Sequence, residues 1–559
     1  MTATEPRVLT GLAASPGLAV GPARRMVPPP ELPATEPAVD DAAAELERAT
    51  KALGEVAESL EATAAQASGE AAGVLAAQAM MARDPSLRAS VQRAVDAGRA
   101  APWAVRIAVG EAQEMMRAAG GYLAERASDL EDLANRTIAK LLGVAMPGLP
   151  QPEDPDEAYV LFAGDLAPAD TATLPVDKVL AIVTERGGPT GHSAIIARAA
   201  GIPAVVSCPG AADVADGETV IVRVQVGETA EVVRHPSEDE VQAAEQQRAD
   251  LAARLAGSSG PGSTADGHRV QLLANVGSVD NLEAISGDSD AEGVGLFRTE
   301  VLFLDRAAAP TVDEQRDAYR KLLAALPGRD VVIRTLDAGS DKPLAFVQLG
   351  DEPNPALGVR GYRTASVQPQ LLTDQLTAIA SAAAETAANV RVMAPMISTP
   401  EEAAAFVEQA RSHGLPSVGV MIEVPAAALR IDEIADVVDF VSIGTNDLAQ
   451  YTFAADRQLG DVAHLLDPWQ PGLLQLIARV AEALRRRDKP VSLCGEAAAD
   501  PLLAPVLAGF GFTSLSMAPT AIPAVRAALR ELTLEQCRER AERVLAASSP
   551  AEARAAAKS

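Results

Sequence analysis

The chain has 559 residues, room for three or four domains at about 150 residues each. Its 76 Asp+Glu against 48 Lys+Arg give a formal charge of −28, which argues against a nucleic-acid partner because phosphate neutralisation needs basic surface. Apolar residues make up 48%, too many for a disordered chain, and three cysteines with five histidines support neither a disulfide framework nor a His-rich metal site.

The opening stretch MTATEPRVLTGLAASPGLAVGPA lacks the pattern of a secretory signal, since Glu5 is acidic and Pro16 and Pro22 interrupt the apolar residues. No apolar run reaches the ~18–20 residues that cross a bilayer, so a cytoplasmic protein without membrane insertion is expected. Residues 1–23 read as a short strand pair. A link rich in proline follows, with Pro28, Pro29, Pro30, Pro33 and Pro37. From Val39 to about Leu142 the texture is Ala-rich helix, expected over 38–66, 70–82, 86–97, 102–118 and 122–142. A turn-rich connector, 144–156, leads into α/β texture with strands at 159–162, 178–184, 204–207, 220–224 and 229–233. A polar helix over 237–255 and the segment GSSGPGST (257–264), expected to be a flexible linker, come next.

Beyond Arg269, eight strand-like segments alternate with helix-length stretches: 270–276, 293–299, 331–337, 390–396, 418–424, 440–446, 490–496 and 513–519. Their near-continuous apolar runs suit strands buried on both faces, and eight βα units in about 255 residues fit a (β/α)8 barrel. An open doubly wound sheet is the competing architecture.

Asn275, Arg298, Arg334, Glu423, Asn446, Asp447 and Cys494 all fall late in these segments. A barrel of this kind carries its active site at the C-terminal ends of its strands. Arginine forks hold phosphate or carboxylate, and two carboxylates without His partners suit an oxygen-seeking cation such as Mg²⁺. Arg457, ten residues past Asp447, can bring a third guanidinium to the same space. The expected substrate is a small, multiply anionic molecule. Cys494 is either a buried apolar residue or a neutral thiol able to protonate a carbanion-like carbon; Cys208 and Cys537 read as buried and inert.

A second centre is ERGGPTGHSAIIARAAGIPAVV (185–206). Gly187, Gly188 and Gly191 form a loop able to approach phosphate, and His192 starts a helix whose apolar face is expected at Ile195, Ile196 and Ala199. The free N–H groups and dipole of a helix start favour a neutral imidazole, a competent nucleophile, and then a bound phosphoryl group. Phosphoryl transfer needs mainly positioning and charge neutralisation. A carrier His visiting an arginine and Mg²⁺ site meets that need.

The chain resembles enzyme I of the bacterial phosphoenolpyruvate-dependent sugar phosphotransferase system, the phosphoenolpyruvate–protein phosphotransferase family. The motifs that carry this are ASPGLAVGPA, YLAERASDLEDLANR, GGPTGHSAIIARAAGIPAVV, GVGLFRTE, RTLDAGSDKP, NPALGVRGYR, MIEVPAA, SIGTNDLAQYTFAADR and SLCGEAA. The His and barrel motifs are shared with pyruvate phosphate dikinase and phosphoenolpyruvate synthase, so the N-terminal ones decide. The resemblance implies a helical bundle (24–145) inserted in a small α/β phosphohistidine (swivelling) domain (1–23 and 146–235). A linker (236–264) and a C-terminal (β/α)8 barrel (265–559) complete it. It implies that His192 accepts the phosphoryl group of phosphoenolpyruvate and passes it to the carrier protein HPr, docked on the helical insert. Arg298, Arg334, Asn446, Asp447 and Arg457 would hold substrate, with Glu423 and Asp447 on Mg²⁺. Cys494 would protonate the enolate to give pyruvate, and Arg360 would have an auxiliary role. A homodimer through the barrel is also implied. Pro189 and Gly191 depart from the family pattern of Arg and of Ser or Cys, which alters the hydrogen bonds around the His loop.

Two readings of other classes compete. A Mg²⁺-dependent lyase or aldolase would use the barrel and leave His192 idle. A non-catalytic phosphoenolpyruvate sensor would not need His192, Glu423 and Asp447 together. An ATP-dependent dikinase needs a longer N-terminal part.

Overall fold

The computed structural model describes residues 7–65, 70–119, 127–150, 154, 156–166, 170, 173–188, 192–224, 229–279, 285, 290–304, 306–339, 344–347, 350, 352–457 and 459–559. These divide into two compact units, 1–245 and 246–559. No described helix is long and apolar enough to cross a membrane.

The first unit holds seven strands: β1 (Val8–Ser15), β2 (Gly17–Arg25), β3 (Tyr159–Ala163), β4 (Val179–Thr184), β5 (Ala204–Val206), β6 (Thr219–Val224) and β7 (Thr229–Arg234). They close into a barrel in the order β1-β5-β4-β3-β2-β6-β7. The expected pair within residues 1–23 does not form. β1 pairs with β5 and β7, while β2 pairs with β3 and β6. Pro16 carries no N–H for a ladder, and the chain turns there from one side of the barrel to the other.

Between β2 and β3, which are parallel neighbours, the chain leaves to build helices Ala42–Ala64, Glu70–Ala82, Pro85–Asp96, Ala101–Ala119 and Ala127–Leu142. Residues 122–126 of the last expected helix lie outside the described residues. Asp41 caps the first helix by accepting the Ala43 and Ala44 N–H groups at 3.0 and 3.1 Å. Its inward stripe, Ala49, Leu53, Val56, Ala57 and Leu60, follows the helical period and joins Val91, Val105 and Leu133 in a core of its own. An α-helical bundle is thus inserted in a small α/β barrel.

The second unit contains β8 (Gln271–Val276), β9 (Gly293–Phe297), β10 (Asp330–Arg334), β11 (Asn389–Ala394), β12 (Val418–Ile422), β13 (Phe440–Ile443), β14 (Val491–Leu493) and β15 (Ser514–Met517). All eight pairings are parallel and the sheet closes on itself, so the competing open sheet is excluded. Leu296, Val332, Met393, Met421, Phe440 and Cys494 form one buried cluster in it. The surrounding helices bury single stripes, such as Leu473, Ile477, Val480, Ala481 and Leu484 of helix Pro471–Arg485.

The Gly/Ser segment expected to be flexible is instead clasped. Arg526, fully buried, donates to the carbonyls of Ser258 (2.5 Å) and Asp290 (3.0 Å). Arg530 donates to the carbonyls of Ser259 (2.6 Å) and Pro261 (3.2 Å). The N–H groups of Gly260 and Gly262 donate to Asp290 and Glu292, each at 2.9 Å. Composition made the backbone permissive, and distant side chains then fixed it. Arg526→Met would strand the buried Ser258 carbonyl, at about 1–3 kcal/mol, and remove the bond to the part-buried Asp290 carbonyl. Limited proteolysis should find residues 257–264 protected in the wild type and cut many-fold faster in Arg526→Met; equal rates would refute the clasp.

Candidate active site

At the C-terminal end of the eight-stranded barrel the side chains meet as follows. Arg334 ends β10 and is 7% exposed. Its Nη2 donates to Glu300 Oε1 at 2.8 Å, and Nη1 lies 3.1 Å from Asp337 Oδ2. Burial works against its charge, but Glu300, Asp337 and Glu423 outweigh burial and hold the guanidinium firmly protonated. Arg360, 1% exposed, donates Nε and Nη2 to the two Asp337 oxygens at 3.1 and 3.2 Å, and Nη1 to Asp447 Oδ1 at 2.9 Å. Arg457 brings Nη1 to 3.5 Å from Asp447 Oδ2.

Arg298 follows β9 with an exposed side chain that makes no hydrogen bond or ion pair with the described residues. Asn446 and Asp447 lie in the first turn of helix Thr445–Phe453, directly after β13. The Asn446 side chain is half-buried and makes no hydrogen bond with the described residues. Asn275, by contrast, serves the barrel: it donates to the Cys494 carbonyl at 3.1 Å and accepts from Ser516 at 2.6 Å.

Glu423 follows β12 and is 1% exposed. Its Oε1 accepts the Met396 N–H at 2.7 Å. Burial first, then the charges of Asp447 and Asp337, push its carboxyl up to about 8, against the pull of Arg334. Gly444 lies beside it, where an added Cβ would stand 2.6 Å from Glu423 Oε2. Two carboxylates that repel each other, one with an oxygen facing a bare backbone, fit a divalent cation that keeps most of its waters. Among the described residues no group of three or more His, Cys, Asp or Glu gathers as a fuller metal cage.

Cys494 follows β14, 3% exposed, with Sγ 3.5 Å from the Ile443 carbonyl oxygen. Burial raises its thiol, Glu423 adds to that, and Arg334 and Arg298 oppose it. The thiol is therefore neutral near pH 7. Gly495 is needed here, since a Cβ would strike Thr445 Oγ1 at 1.8 Å. Cys208 and Cys537 are buried elsewhere, and burial pushes each up to about 11.

Of the expected barrel residues, Arg298, Arg334, Glu423, Asp447, Arg457 and Cys494 are thus linked by contact or by mutual charge. Glu300 and Asp337 were not singled out from sequence, although they stand two and three residues past Arg298 and Arg334.

His192 opens helix His192–Ala200 in the first unit. That helix buries Ser193, Ala194 and Ala197, and Ile196 partly; the side chains of His192, Ile195 and Ala199 and residues Pro189 to Gly191 lie outside what is described. The loop leading to it is held at its base. Thr184 Oγ1 donates to the Arg186 carbonyl at 2.6 Å, and Ser207 Oγ to the Gly187 carbonyl at 2.5 Å.

Residues 256–534 match the PEP-binding domain of PEP-utilising enzymes, residues 155–227 their mobile domain and residues 10–126 their N-terminal domain. Barrel, site and matches together define the class, a phosphoenolpyruvate-utilising enzyme. The phosphoenolpyruvate-protein phosphotransferase of Streptomyces coelicolor (strain ATCC BAA-471 / A3(2) / M145) is 51% identical, covering 98% of both chains. That of Haloferax volcanii is 40% identical over 88% of this chain and 87% of its own, and that of Bacillus sp. (strain S) 38% identical over 96% of each. A solved Enzyme I structure, 33% identical, covers 44% of this chain and 99% of its own with a TM-score of 0.38. The chain belongs to the phosphoenolpyruvate-protein phosphotransferase family, and it is an enzyme of phosphoenolpyruvate-dependent phosphoryl transfer.

The Glu423 carboxyl gives a signed pH test. Its folded value, about 8, lies above the ordinary 4.5, so its contribution to stability is present below about pH 4.5 and is lost as pH rises through about 8. In chelator, Glu423→Gln should melt several degrees above wild type at pH 8.5 and near it at pH 5. Mg²⁺ should close that gap at pH 8.5. A gap that is the same at both pH values would refute the assignment.

Proposed function

We propose that the barrel end binds phosphoenolpyruvate and that its phosphoryl group passes to His192 and then to the carrier protein HPr, releasing pyruvate. The observation that carries this is the convergence of Arg298, Arg334, Asp447, Arg457, Glu423 and Cys494 at one end of one barrel.

Arg298 and Arg334 take the substrate's phosphate and carboxylate, because fork-shaped donors match planar anions. Arg298 has no hydrogen-bond or ion-pair partner among the described residues to give up, and Arg334 is already oriented by Glu300 and Asp337. Asn446 donates its amide, which makes no hydrogen bond with the described residues, and Arg457 adds charge to the leaving face. Glu423 and Asp447 would hold Mg²⁺, which neutralises phosphate charge when bound. Arg360 keeps Asp447 aimed and stays out of contact with substrate.

The imidazole nitrogen of His192 attacks phosphorus. The P–N bond forms as the bond to the enol oxygen breaks, and the electron pair stays with pyruvate enolate. Cys494 gives its proton to the enolate carbon and recovers one from solvent. The neutral thiol is suited to that step, since a thiolate has no proton to give. The phosphoryl group then leaves nitrogen for a nucleophile on HPr. The helical insert, with exposed Met80 and Met115, is the docking surface. A homodimer through the barrel and a cytoplasmic location follow from the family resemblance.

Labelled phosphoenolpyruvate with Mg²⁺ should put acid-labile, alkali-stable phosphate on the protein. His192→Ala should abolish it, and label surviving that change would sink the reading. Purified HPr should drain the label. Cys494→Ala should slow pyruvate formation about a hundredfold or more while phosphoenolpyruvate still binds; unchanged pyruvate formation would remove the acid role.

A further inference from the structure

Behind the mouth arginines, the barrel wall holds a buried polar chain that the phosphoryl chemistry does not touch. Gln375 lies on helix Pro369–Ala384 and is 1% exposed. Its Nε2 donates to Thr299 Oγ1 and to the Tyr319 hydroxyl, each at 3.1 Å, and its Oε1 accepts the Leu336 N–H at 2.9 Å. Both donors and the acceptor of this amide are therefore used. Thr299 carries the polarity inward, donating to the Arg334 carbonyl at 3.0 Å. Tyr319 carries it outward, its hydroxyl donating to Gln315 Oε1 at 3.4 Å, and Gln315 Nε2 to the Pro310 carbonyl at 3.0 Å. Thr299, Tyr319 and Gln315 are all buried.

The two branches end in different places. The Thr299 branch ends on the backbone of Arg334, and Thr299 itself sits between Arg298 and Glu300. The Leu336 bond fixes the loop that carries Asp337, whose N–H also donates to Glu300 Oε1 at 3.0 Å. The Tyr319 branch ends instead on the Pro310 carbonyl, just before helix Val312–Ala324, and touches neither Arg298 nor Arg334. Around the chain the wall is apolar, with Leu322, Leu323, Leu372, Leu376 and Ile379. An apolar side chain would fill this volume without the desolvation cost of an amide and a hydroxyl. What the polar chain adds is a fixed distance between two strand ends, with direction: an ionised Glu could not donate to Thr299.

We propose that Gln375 is a positioning residue for phosphoenolpyruvate. Through Thr299 and the Leu336 N–H it holds the ends of β9 and β10, and so Arg298 and Arg334, at the spacing the anionic substrate requires. This rests on the assignment of those two arginines to substrate.

The test is calorimetric titration of phosphoenolpyruvate with Mg²⁺ into the full chain, in a His192→Ala background where no phosphoryl transfer intervenes. Gln375→Leu and Thr299→Val should each weaken binding about tenfold, the cost of a sub-ångström shift in a bidentate site. Thr299→Ser keeps the hydroxyl and should bind as the parent does. Tyr319→Phe removes a bond from the same amide on the outward branch. It should bind within about twofold of the parent even where its melting temperature falls as far as that of Thr299→Val. Affinity that tracks melting temperature across the four variants would overturn the proposal, as would parental affinity in Gln375→Leu and Thr299→Val. A chain with His192 restored that binds phosphoenolpyruvate yet takes no label would fail the assigned reaction and leave the positioning role standing on the binding data.

Discussion

Glu300, Arg334, Asp337, Arg360 and Asp447 form a line of buried charges in which every neighbour is of opposite sign. Each would be costly alone in this setting, since removing one partner of a buried pair costs about 3–5 kcal/mol. Together their charges are paired, and the geometry of one fixes the next. The line crosses the mouth from β9 to the helix after β13, so it exists only when the barrel is closed. Glu423 stands beside the line without an ion pair among the described residues, and burial and the charges of Asp447 and Asp337 raise it against the pull of Arg334. The site is thus in electrostatic deficit at one place, where the donor chemistry suits a divalent ion and its bound anion.

The same constraint explains why the mouth tolerates so little side-chain volume. Gly444 and Gly495 bring backbone against Glu423 and Thr445 at distances that no Cβ would allow. Cys494 keeps its proton because burial in an apolar wall and the negative charge of Glu423 both disfavour a thiolate. Buried guanidinium and neutral thiol therefore share one end of the barrel. The fixed frame behind them, from Gln375 through Thr299, lets the arginines meet an incoming anion without reorganising.

The first unit works differently. His192 sits at the start of a short helix, and hydroxyls of Thr184 and Ser207 hold the base of the loop before it. The connecting segment at 258–262 is bound to the second unit by arginines and carboxylates.

The sequence by itself determined the eight barrel strands, the helical insert and most of the mouth. Buried parallel strands leave uninterrupted apolar runs, and charged or polar residues at strand ends stand out against them. Arg334, Glu423, Asp447 and Cys494 were legible for that reason. Glu300 and Asp337 were not, because an acidic residue in a loop of an acidic chain looks like solvated surface until a buried guanidinium is placed against it. Gln375 gave no signal at all, being a polar residue in an amphipathic helix whose partners lie 39 to 76 residues away. The segment GSSGPGST read as flexible, since glycine and serine report what the backbone is free to do. Only the tertiary structure decided that Arg526, 268 residues further on, would take that freedom away.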